Sequence, residues 1–164
     1  MPGATIKIVI GYTLFVIRKG RLGLELLDMG FTSFEELECW QAAKAVRQFV
    51  EKIILKFPSS EKFDLIDNMR RAARSATRNI AEGFGRYHYL ENIQFCRQSR
   101  GSQQEVVDDL ITAHENKYIT PDEYNEGRKL LSKSIALING YINYLDKAKN
   151  TNSSVSEQVE SYNR

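Results

Sequence analysis

The chain has 164 residues, 42% of them hydrophobic and 27% charged, which suits one globular domain able to bury a core without disulfides or metal. A net charge of +2 excludes a strongly basic or acidic protein as a whole, but residues 69–100 hold seven arginines and two acids, so the local balance is +5 and the remainder carries −3. Two cysteines, Cys39 and Cys96, have no paired or CxxC spacing and read as buried free thiols of a reduced, cytoplasmic compartment.

The N-terminal stretch TIKIVIGYTLFVI, residues 5–17, is apolar and β-branched. It is too short to span a bilayer as a helix, and its basic residues lie on the wrong side for a signal peptide. Residues 1–30 are therefore an N-terminal extension: a short strand, or translated sequence upstream of a start at Met29.

From residue 31 onward the pattern is helical. Ser33 with Glu36 forms a capping box ahead of Leu37, Trp40, Ala43, Val46 or Arg47, Val50, Ile53, Ile54 and Phe57, spaced by three and four. Pro58-Ser59-Ser60 closes this helix and opens a second, from about Glu61 to Gly83, with Gly83 and Gly85 as its stop. A third helix covers about 89–116. Thr120, Pro121 and Glu123 then start a fourth, about 121–149, whose Leu131, Ile135, Ile138, Ile142 and Leu145 form a bundle seam. Residues 150–164, NTNSSVSEQVESYNR, read as a disordered polar tail. Four similar helices with short connections predict an all-α, antiparallel up-down-up-down four-helix bundle over 31–149.

The stretch with the most chemistry is MRRAARSATRNIAEGFGR, residues 69–86. At about 100° per residue, Leu65, Met69, Ala72, Ala73, Ala76 and Ile80 share one face, and Arg70, Arg71, Arg74 and Arg78 share the opposite one. The arginines point away from the core. Three readings stay open: a solvated face or subunit contact paired to acids, a surface for phosphates, and a catalytic role. Asn79 and Glu82 sit at the margin between the faces, with Arg78 and Arg86 each four residues from Glu82. No base-reading motif accompanies the arginines, so nucleic-acid contact would be to the backbone and of little sequence specificity.

Other constellations carry less. His88 and His114 lack ligand-spaced neighbours, the Glu-x-x-His motif is absent, and Ser75 and Ser102 have no defensible base. Glu105, Asp108 and Asp109 read as a solvated acidic cluster. The expectation is a non-enzymatic protein with no cofactor, no metal and no membrane partner.

Trp40-Gln41-Ala42 behind FEEL, Phe57-Pro58, RRAARSATRNIAEGFGR, and Gly101-Ser102 with Glu105 resemble the four-helix bundle proteins encoded by intervening sequences in bacterial 23S ribosomal RNA genes. These are related to the accessory variability proteins of diversity-generating retroelements. The resemblance covers about residues 31–147. It implies a non-catalytic homopentamer with a basic surface, RNA or DNA association and, in the retroelement relatives, a reverse transcriptase as partner. The positions that match the signature are Arg70, Arg71, Ser75, Asn79, Glu82, Gly83, Arg86, Gly101 and Ser102. The sequence departs from the pattern at Tyr87-His88-Tyr89 and at Gln98 and Ser99. The competing class is a protein-interaction scaffold in which the same arginines meet acids of another subunit or partner.

Overall fold

The computed structural model describes residues 6–10, 13–20, 23–28, 32–86 and 88–162, with side chains described for 32–86 and 88–150. Four helices form the predicted bundle: α1 Glu38–Ile53, α2 Leu65–Gly85, α3 Tyr89–Glu115 and α4 Pro121–Tyr162. The cross-helix contacts fix their directions. Arg47 meets Thr77 while Glu51 meets Arg74, so α1 and α2 are antiparallel. Ser99 reaches Ala76 and Ser102 reaches Ser75, so α2 and α3 are antiparallel. Asn92 meets Tyr141 while Leu110 lies against Gly127, which orients α3 against α4.

Ahead of the bundle the chain forms an antiparallel three-stranded meander, β1 Ile6–Ile10, β2 Thr13–Gly20 and β3 Gly23–Asp28. Ile6 is opposite Ile17 and Gly20 is opposite Gly23. The single short strand expected here is thus three: glycines at 11, 20 and 23 punctuate β-branched runs, which are hairpin signals.

Several boundaries differ from the sequence reading, among them the start of α2, which lies at Leu65 rather than Glu61 after a separate 3₁₀ turn, Ser59–Phe63. Another concerns Ser33. It caps a short 3₁₀ turn, Phe34–Glu36, and the Glu36 carboxylate reaches back to the Thr32 amide and hydroxyl, so the reciprocal partner is Thr32 and α1 begins only at Glu38. Gly83 lies inside α2 rather than at its end. Finally, α4 runs on to Tyr162, where a disordered tail was expected. Residues 150–162 contain neither proline nor glycine, so nothing in them breaks a helix already propagating. The α4 start agrees: Thr120 and Glu123 exchange backbone and side-chain hydrogen bonds of 3.0 to 3.2 Å.

The core falls into two apolar clusters. One joins Val50, Ile53, Met69, Ala73, Leu110 and Leu131; the other joins Leu37, Cys39, Ile80, Ile93, Cys96, Ile138 and Leu145. Between them, buried Thr77, Ser99, Gln103 and Ser134 form a polar waist. Ser99 donates to the Ala76 carbonyl at 2.7 Å, satisfying its hydroxyl inside the bundle. Burial pushes both cysteine thiols up to about 12, the behaviour of inert core residues.

Candidate nucleic-acid interface

The arginine face of α2 is external, as the helical spacing requires, but the neighbouring helices divide it into two seams of different charge. Arg70 and Arg74 lean toward α1. There Glu51 accepts from Arg74 Nε and Nη2 at 3.0 and 2.7 Å and lies 3.7 Å from Arg70. Arg47 enters the same seam half-buried, its guanidinium donating to Thr77 Oγ1 at 3.0 Å. Lys44 stands about two turns before Glu51 on the same α1 azimuth, its ammonium over the Trp40 ring. The α1–α2 seam therefore lines up Lys44, Arg47, Arg70 and Arg74, of which Arg70 and Arg74 face the carboxylate of Glu51.

Arg71 and Arg78 lean toward α3. With Arg74, which borders both sides, they line an open groove of about 720 Å³ whose far wall carries Glu105, Asp108 and Asp109 and whose floor includes Ser75, Asn79 and Ser102. Arg71, 75% exposed, sits 3.8 Å from Asp67, and Arg78 makes no ion pair with any described residue. Glu82 bonds Arg86 at 2.6 Å rather than Arg78, which raises the Arg86 pKa further, and Arg86 also lies over the Phe95 ring. The acids are not uniformly solvated, contrary to the sequence reading. Asp109 is half-buried, and burial, reinforced by the charges of Asp108 and Glu105, pushes its pKa up to about 6. The groove is thus bipolar, basic on α2 and acidic on α3.

One pair of signature polar residues ties α2 to α3: Ser102 donates to Ser75 at 2.9 Å. Asn79 donates to the same Ser75 hydroxyl at 3.1 Å from within α2, one turn on, and so orients it. Gly83 allows a close approach of the two helices, against Asn92 and Phe95. Gly101 differs: it faces open space, and nothing within the described chain accounts for it. Ser99, a departure from the expected pattern, is absorbed by its bond to Ala76.

Sequence spacing placed Arg70, Arg71, Arg74 and Arg78 on the outer face of α2 but did not bring Lys44 and Arg47 alongside them, because α1 was read only for its apolar stripe. An unpaired Arg inside that stripe was the available signal. Among the described residues no cluster of His, Cys, Asp and Glu has the geometry of a metal site. No helix among them is long and apolar enough to cross a membrane.

No curated protein matches the chain significantly. Among solved structures, it is similar to a protein of unknown function from the S23 ribosomal protein family of Bacteroides thetaiotaomicron, with a TM-score of 0.59 at 15% identity over 63% of this chain and 97% of the other. At that identity the likeness carries the fold alone. Residues 35–140, well over half of the chain, match the family of 23S rRNA-intervening sequence proteins, and the chain belongs to that family.

Proposed function

We propose that this protein is a non-enzymatic, self-associating bundle, encoded by a ribosomal RNA intervening sequence or a similar element, that contacts the phosphate backbone of RNA or DNA through the α1–α2 seam and the exposed ridge of α2. The observation that carries the reading is the alignment of Lys44, Arg47, Arg70 and Arg74 along one seam, with Glu51 facing only the last two, beside exposed Arg71 and Arg78. A surface on which cations outnumber acids favours a polyanion through the release of its counterions, without reading its bases. Charge reversal of Arg70, Arg74 and Arg78 to Glu should abolish binding of a labelled RNA or DNA oligonucleotide while circular dichroism stays native. Retained binding in that variant would sink the proposal.

A second reading draws on the bipolar α2–α3 groove. Walls of opposite sign suit a protein surface that brings both charges, either another subunit, as in the pentamer the family resemblance implies, or a partner such as a reverse transcriptase. Under this reading, reversing Glu105 and Asp108 to Lys lowers the mass of the assembly in solution. An unchanged mass would remove the subunit version of it.

A further inference from the structure

The Glu51 carboxylate has an unusual position for a surface acid. It is the one acid of the α1–α2 seam among the described residues, it sits between two guanidinium groups of the neighbouring helix, and it is 39% exposed. One of its oxygens accepts from both Nε and Nη2 of Arg74, and the other faces Nε of Arg70 at 3.7 Å. We propose that Glu51 fills, in the free protein, an anion subsite suited to a phosphate group, and so competes with the polyanion for Arg70 and Arg74. The inference rests on reading the seam as a phosphate-contacting surface and adds how that surface is restrained.

The chemistry follows from the donors. A guanidinium presents N–H groups in a planar fork that fits carboxylate and phosphate oxygens alike. A phosphodiester or phosphate group could take the same two arginines, with Arg47 and Lys44 further along the seam for the next charges. In the free protein Glu51 offsets the mutual repulsion of cations that would otherwise face one another unscreened. An exposed ion pair of this kind contributes little to stability, so a phosphate can displace it at small cost. Once a polyanion is bound, the displaced carboxylate remains within a Debye length of it and opposes it. Glu51 therefore lowers affinity in the bound state and keeps the seam occupied in the free one.

Glu51→Gln keeps the shape and removes the charge. With a fluorescein-labelled single-stranded RNA oligonucleotide and the full chain at low salt, E51Q should bind about three- to tenfold more tightly than wild type. The gain should vanish when Arg70 and Arg74 are also changed to Gln. Inorganic phosphate, added at constant ionic strength, separates the two sources of the same ligand. Melting of E51Q that rises with phosphate but not with chloride assigns the subsite to single anions as well as to the polymer. Tightening toward RNA with no response to phosphate assigns it to the polymer alone. Equal or weaker RNA binding by E51Q, with wild-type binding measurable, overturns the competition and leaves the seam standing. Absence of RNA binding by natively folded wild type and E51Q alike overturns both.

Discussion

A methyl group at Gly83 would sit 2.7 Å from Asn92 Oδ1 and 2.8 Å from Phe95 Cβ, so the backbone of α2 at this residue lies directly on α3. Asn92 is itself pinned, donating to Tyr141 on α4 and accepting from Cys96. A change at Gly83 thus reaches three helices. Gly83→Ala gains about 1 kcal/mol of helix propensity but overpacks a contact that cannot recede, costing about 1–3 kcal/mol. Net destabilisation is expected, with a melting temperature several degrees lower. Gly101→Ala is the control: its added methyl meets open space, and thermal melts should show it as stable as wild type or more so. A Gly83→Ala variant as stable as Gly101→Ala would contradict the close approach.

The polar waist makes a separate prediction. Ser99→Ala removes a hydroxyl that donates to the Ala76 carbonyl and leaves Gln103, already short of a partner for Oε1, with one fewer neighbour. A loss of about 1–2 kcal/mol in denaturant unfolding is expected. Ser102→Ala, which loses only a bond between partly buried hydroxyls, should cost less.

Two carboxylates give opposite pH signatures. Glu123 accepts from Lys56 and from the Thr120 amide, which lowers its pKa. Its contribution is present above the unfolded value near 4.5 and is lost as pH falls through the lower folded value. Asp109 is raised from 3.8 to about 6, so its ionised form is disfavoured in the fold. It weighs against stability above about 6, and that penalty is relieved as pH drops from 6 toward 4. Asp109→Asn should therefore melt higher than wild type at neutral pH, and the gap should close on acidification. A constant gap across that window would rule out the burial of Asp109 as the cause.

Cys39 and Cys96 sit in one apolar cluster with thiols pushed up to about 12. In the native protein they should react with a thiol reagent far more slowly than in denaturant, at a rate set by unfolding. Rapid labelling of the folded chain would show that this end of the core opens easily.

The bundle was legible because its signals are local. Apolar spacing in α1 and α4, the Pro58 break and the Thr120–Glu123 box each act within a few residues, and each stands in the structure where it was read or within one turn of it. The errors came where two chemistries share one residue type. Glycine ends helices and also lets helices touch, and only the partner helix decides that Gly83 does the second. Serine and asparagine past Lys149 are weak helix formers, yet without a breaker α4 continues through them. The candidate surface was half legible. Periodicity within α2 placed the arginines outside, but the division into a basic seam and a bipolar groove depends on which residues α1 and α3 bring alongside. Glu51 lies 19 residues before Arg70 and 23 before Arg74, and no spacing rule links them.

The most direct test of the central claim is the salt dependence of RNA binding by the full chain, followed by fluorescence anisotropy. If Lys44, Arg47, Arg70 and Arg74 contact phosphates, the logarithm of the binding constant falls linearly with the logarithm of salt, by about 0.7 per contacted phosphate on a single strand. Replacing Arg70 and Arg74 with Gln then flattens the line by about one to two such increments. Affinity that is absent at low salt in the folded protein, or that is indifferent to salt and to those two arginines, would contradict the claim and assign the seam to contact with protein.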